Sequence, residues 1–165
     1  YLDICRFIKR HMSDTKLLNA HGASVKFSIL ILLTLSFSLF AEEKLDCEKA
    51  WTTIDVNRCM SIDLAEVEKV MEKYLAKSLE RYKEDKVSLK SIEESQDLWL
   101  AYRNSHCGAV YDTWRDGTIR TSMGLGCKID LTQQRTKKLW LYFLTYMDST
   151  PAILPEPKPY KPKSY

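Results

Sequence analysis

Cysteine and histidine are the side chains best able to act here as nucleophile, base or soft metal ligand. The 165-residue chain has five of the first and three of the second. Beyond residue 41 these reduce to Cys47, Cys59, Cys107, Cys127 and His106. His106 beside Cys107 has the composition of a nucleophile–base pair. Successive residues on a helix, however, point about 100° apart and do not face each other. The cysteines form no CxxC pair, and one histidine is too few for a histidine-based metal site. A Gly-rich phosphate loop, a GxSxG elbow and HExxH are all missing. The expectation is a non-enzyme with no catalytic residue, no metal and no cofactor. Its chemistry is oxidation of four thiols to two disulfides.

Stable disulfides need an oxidising compartment, and the N-terminal region offers a route to one. Phe27 to Phe40 reads FSILILLTLSFSLF, fourteen residues without a charge, preceded by Lys26. A spanning helix needs roughly 18 or more apolar residues, so this run suits a signal-peptide h-region. Leu39 and Ala41 are acceptable at the −3 and −1 cleavage positions. Residues 25–41 are therefore read as a signal peptide, and export to the periplasm or the exterior follows. No cysteine stands at the cleavage point, which argues against a lipidated N-terminus and leaves no membrane span after cleavage. Residues 1–24 show no pattern and are read as a leader from an over-extended reading frame, with translation starting near Val25.

Trimming changes the charge. Residues 1–41 hold five of the 25 Lys/Arg and two of the 22 Asp/Glu, leaving 20 of each in residues 42–165. A neutral domain lacks the basic excess a nucleic-acid binder needs to replace counterions.

The rest must position the cysteines. Residues 47–59 read as a short, partly helical lead-in. From Asp63 to Lys86 the apolar spacing predicts a helix, with Val67, Val70, Met71, Tyr74, Leu75, Leu79 and Tyr82 on one stripe. Asp63 and Glu66 have capping-box spacing. A second helix is expected from Ser88 or Ser91 to about Cys107 or Tyr111. Its inner face is Leu89, Ile92, Trp99, Tyr102 and His106, with Leu98 beside it. Only a turn separates the two, so they should form a long antiparallel αα-hairpin. Residues 112–130 contain Gly117, Gly124 and Gly126 and read as an irregular loop. A third helix begins near Asp130 or Thr132, with Leu131, Leu139, Tyr142, Phe143 and Tyr146 inward. Residues 42–150 thus form one all-α domain, a small three-helix up-down bundle stapled by two disulfides. The tail, residues 151–165, holds all five prolines. It reads as a mobile, Lys-containing extension.

Four cysteines allow three pairings. Cys47–Cys59 with Cys107–Cys127 is favoured, because each closes a short loop at low entropic cost. Cys59–Cys107 competes, since a hairpin brings those helix ends together. For partner contact, the loop offers Trp114, Arg115, Thr118 and Arg120, with the aromatic and arginine chemistry of interface anchors. The densest cluster, Gln96 to Cys107, is most simply structural, with Trp99 in reach of Tyr102 and Arg103 one turn on.

The run Gln96-x-x-Trp99-Leu100-x-Tyr102-Arg103-x-x-x-Cys107 closely resembles the LprI-type N-terminal domain family, small exported bacterial proteins named for a lysozyme inhibitor. Cys47-x-x-Ala50 with Asn57-Arg58-Cys59 is similar to the family's opening, and Tyr74 matches its first-helix tyrosine. Asp116-Gly117-Thr118-Ile119 resembles its Gly-Thr/Ser loop. Cys127 followed by Leu131-Thr132-x-x-Arg135-x-x-x-Leu139 resembles its closing motif. The resemblance covers residues 46–143. It implies the same disulfide pairing, a structural role for Gln96, Trp99, Tyr102, Arg103, Thr132 and Arg135, and a lysozyme as partner. Lysozyme works with two carboxylates in a cleft, which a rigid loop carrying a cation could plug. The alternative is an envelope-interaction or stress protein with another protein partner. Where the family often has Asp and Asn before the first-helix tyrosine, this chain has Val67 and Met71.

Overall fold

A computed structural model describes residues 45–162. The leader and signal-peptide readings of residues 1–41 lie outside that range. Three helices carry the fold: α1 (Thr53–Arg81), α2 (Lys86–Thr113) and α3 (Arg120–Leu139). A single 3₁₀ turn at Cys47–Lys49 precedes them, and a π-helical turn at Trp140–Leu144 extends α3. Among the described residues there is no strand, so the fold is all-α as expected.

Local chemistry explains where the helices start. The Thr52 hydroxyl accepts the Asp55 N–H at 3.1 Å, and the Asp55 carboxylate lies in the positive first turn of α1. The Asp85 carboxylate accepts the N–H groups of Val87 and Ser88, both at 3.1 Å, and so opens α2. The Ser88 hydroxyl also donates to this carboxylate at 2.6 Å, and that bond first, then the two N–H bonds, hold the carboxyl below the usual range.

Side-chain pairs fix the directions. Glu68 meets Arg103 and Met71 meets Gln96, so α1 and α2 are antiparallel. Arg103 meets Thr132 and Gln96 meets Arg135, so α2 and α3 are antiparallel too. Ser122 bonds Asn57 at one end and Arg81 bonds Phe143 at the other, which makes α1 and α3 parallel. The bundle runs up-down-up.

Its interior is graded along the axis. Near the α1–α2 turn, Met71, Tyr74, Leu139 and Leu144 form the apolar core, with Leu75, Trp99, Trp140, Phe143 and Leu154 packed around it. Burying a side chain such as Leu139 or Leu144 stabilises by about 1.5–3 kcal/mol each. Arg81 closes this end by donating from one Nη atom to the carbonyls of Phe143 (2.8 Å) and Thr145 (2.9 Å). The opposite end holds both disulfides, Cys47–Cys59 and Cys107–Cys127. A small core supplies little stability alone, and covalent staples compensate where it thins.

Several boundaries differ from the sequence reading. Helix α1 begins at Thr53 and takes in Cys59, so the lead-in shrinks to one turn. Asp63 is not a cap but a buried mid-helix residue. Helix α3 begins at Arg120, and both Gly124 and Gly126 lie inside it. A Cβ on Gly124 would stand 3.3 Å from the Tyr111 Cβ, and one on Gly126 3.5 Å from the Met60 methyl. Gly124 lets α3 approach α2 closely, whereas a Cβ on Gly126 would make only ordinary contact, and neither glycine breaks the helix. On α2 the buried residues are Ile92, Arg103 and Cys107, while Tyr102, His106 and Leu98 are exposed. The expected face holds at Ile92 and Trp99 but shifts by one residue, about 100°, in the C-terminal half, where Arg103 and Cys107 replace Tyr102 and His106 inside. Val70, Tyr142 and Tyr146, expected inside, are also exposed.

The tail is laid along the bundle instead of extending from it. Ile153 donates its N–H to the Leu144 carbonyl, and Leu154 packs on the core. Tyr74 donates to the Pro155 carbonyl at 2.7 Å and the Trp140 indole N–H to the Leu154 carbonyl at 2.9 Å.

The disulfide end as a candidate binding site

A polar seam joins the three helices midway along the bundle. The Arg103 guanidinium bonds the Thr132 hydroxyl and the Glu68 carboxylate, each at 2.8 Å. Thr132 in turn donates to the Lys128 carbonyl at 2.7 Å. Arg135 donates to the Gln96 amide oxygen (2.9 Å) and the Ser95 hydroxyl (3.0 Å), and burial lowers its pKa. Both guanidiniums lie over the Trp99 ring, Arg103 at 5.1 Å and Arg135 at 5.8 Å from the centroid. Gln96, Trp99, Arg103, Thr132 and Arg135 are thus brought together. Tyr102 is not: it stacks outside on His106, with ring centroids 5.4 Å apart. Glu68 of α1 neutralises the buried Arg103, and the Arg103–Thr132 and Arg135–Gln96 bonds set the register of α2 against α3.

Above the seam, the Cys107–Cys127 bridge ties the last turns of α2 to α3. Cys47–Cys59 ties the chain's entry to α1, and the Ser122 hydroxyl donates to the Asn57 amide oxygen at 2.7 Å. Every helix end at this pole is therefore fixed. The expected nineteen-residue loop reduces to residues 114–119, a run of hydrogen-bonded turns. Gly117 donates to the Trp114 carbonyl at 2.9 Å and Arg115 to the Asp112 carbonyl at 3.2 Å.

The four loop candidates divide. Trp114 and Thr118 are exposed, and the Arg115 side chain is 71% exposed. Arg115 has only Asp116 nearby, at 3.9 Å, a surface pair worth little. Arg120 points inward instead. It is the first residue of α3, its guanidinium lies 4.0 Å from the Tyr111 centroid, and its Nε is buried without a partner. Two residues missed by sequence reasoning join the exposed set at this pole. Trp51 is 86% exposed, and Ile54 projects from the first turn of α1. Their exposure beside a cysteine-closed segment was not readable while that segment counted as a lead-in.

This pole thus exposes two tryptophans, Ile54, Ile119 and Arg115 on covalently fixed elements. Aromatic and arginine anchors with little conformational freedom suit a protein interface. Among the described residues, no group of three or more His, Cys, Asp or Glu is placed to hold a metal ion. No helix among them is long and apolar enough to cross a membrane.

Comparison with known families finds a match to the model for lysozyme inhibitor LprI over residues 46–139. Neither a curated relative nor a solved structure matches the chain. The matched span starts just before Cys47 and ends at Leu139, so it contains both disulfides, the seam and the outward turns.

Proposed function

Because the chain belongs to the lysozyme inhibitor LprI family, we propose that it is an exported, disulfide-stapled binding protein whose disulfide end docks on a lysozyme and obstructs its cleft. The observation that carries this reading is the outward pair Trp114 and Arg115, held on turns between two helices that Cys107–Cys127 locks together. A lysozyme cleft presents two catalytic carboxylates. A guanidinium is a strong charge-assisted donor to a carboxylate, and an indole beside it displaces water from the pair. Because the turns are ordered before contact, little entropy is lost on docking. Arg120 acts behind the surface, stacking on Tyr111 and setting where α3 begins. Val67 and Met71, at the positions where the family often carries polar residues, are buried here and contribute packing rather than partner contact.

The test is direct. Oxidised protein in molar excess over lysozyme should slow lysis of bacterial cell walls. Unchanged lysis at micromolar protein refutes the inhibitor reading and favours a different envelope partner.

A further inference from the structure

The tail is held to the bundle at two main points and lines a cleft between them. At the near point, Trp140 and Tyr74 donate to the carbonyls of Leu154 and Pro155. At the far point, the Tyr160 N–H donates to the Gln133 amide oxygen at 2.7 Å, and its hydroxyl donates to the buried carboxylate of Asp63. Glu156 reaches Lys137. Pro157, Lys158 and Pro159 form part of the wall of a cleft of about 780 Å³. That volume lies in the range of small-molecule sites, roughly 300–1,000 Å³.

The lining has a consistent chemistry. Val67 and Val70 of α1, with Leu141 and Tyr142 of the π-helical turn, supply apolar surface. Val70 is 43% and Tyr142 65% exposed, although the tail passes beside them. Pro157 and Pro159 have no N–H, so an apolar occupant against this wall strands no donor there. The rim is cationic. Lys138, Lys158 and Lys161 border the cleft, and among the described residues none of them is in an ion pair. Lys137 is the rim lysine that Glu156 neutralises.

We propose that this tail-walled cleft binds a single-chain anionic amphiphile, a long-chain carboxylate. The alkyl chain lies between Val70, Tyr142 and the two prolines, and the carboxylate sits among Lys138, Lys158 and Lys161. The site is on the α1–α3 flank, away from the loop at residues 114–119, and does not depend on the lysozyme reading.

Titration of the folded, oxidised protein with decanoate and dodecanoate, each below its micelle concentration, tests it. Saturable one-to-one binding is expected, tightening by about fourfold for each added methylene. Dodecanol, which lacks the charge, should bind about tenfold more weakly than dodecanoate, as should dodecanoate to Lys158→Glu/Lys161→Glu. Val70→Trp fills the cleft from an exposed position and should abolish binding without lowering the melting temperature. Absence of saturable binding overturns the proposal. So does equal affinity for dodecanol, or dodecanoate binding that survives Val70→Trp.

Discussion

Arg103→Ala removes three interactions at once: the ion pair to Glu68 at 2.8 Å, the hydrogen bond to Thr132 at 2.8 Å and the stacking over Trp99 at 5.1 Å. Deleting one partner of a buried pair costs about 3–5 kcal/mol. Glu68 keeps 34% of its side chain exposed and can rehydrate, and Thr132 keeps its bond to the Lys128 carbonyl. Both facts place the loss at the low end, about 3 kcal/mol. For a domain of this size, with a urea slope of about 2 kcal/mol per molar, the unfolding midpoint should fall by about 1.5 M. Tryptophan fluorescence and far-ultraviolet circular dichroism should report the same midpoint. Combining Arg103→Met with Glu68→Leu replaces the pair by apolar groups and should recover stability to within about 1 kcal/mol of the parent. If Arg103→Ala costs less than about 1 kcal/mol, the seam does not hold the helices as described. A double variant no more stable than Arg103→Ala would equally refute the desolvation argument.

Cys107→Ala/Cys127→Ala opens a loop with a sequence separation of 20. Chain entropy sets the loss of stability at about 3 kcal/mol, read from urea unfolding, and an unchanged midpoint would contradict it. Tyr160 gives a pH test. Burial, the hydrogen bond to Asp63 and the charges of Asp63 and Glu66 push its phenol up to about 12. An unfolded tyrosine ionises near 10, so between these values the unfolded chain sheds a proton that the folded chain keeps. Stability is therefore indifferent to this group below about pH 10 and falls as pH rises toward 12. Tyr160→Phe should flatten that decline and remove the last step of the ultraviolet phenolate titration; an unaltered titration would count against the tail anchor.

Three helices and their order were legible because the apolar spacing and the short turn between the first two pointed the same way, whereas short loops only favoured the observed disulfide pairing and left Cys59–Cys107 open. The start of α1 was missed although Thr52-x-x-Asp55 has the spacing of a cap, because cysteines at both ends made residues 47–59 look like a separate element. Gly124 and Gly126 read as loop residues, since local propensity cannot see that Tyr111 and Met60 pass close by. Only the C-terminal half of the buried face of α2 was misjudged, because Tyr102 looks more apolar than Arg103, yet only Arg103 finds Glu68 and Thr132 inside. Prolines gave no hint that Trp140 and Tyr74 would catch the carbonyls of Leu154 and Pro155. At the binding end, the types of Trp114 and Arg115 were readable, but their outward direction and the inward turn of Arg120 depend on where α3 begins.

The most direct measurement compares lysozyme inhibition by the parent protein with that by Trp114→Ala/Arg115→Glu, both oxidised and equally stable to heat. Exposed turn residues carry little of the folding energy, so any change reports on contact. The account predicts at least about a tenfold weaker inhibition by the double variant. Equal potency of the two proteins would contradict it.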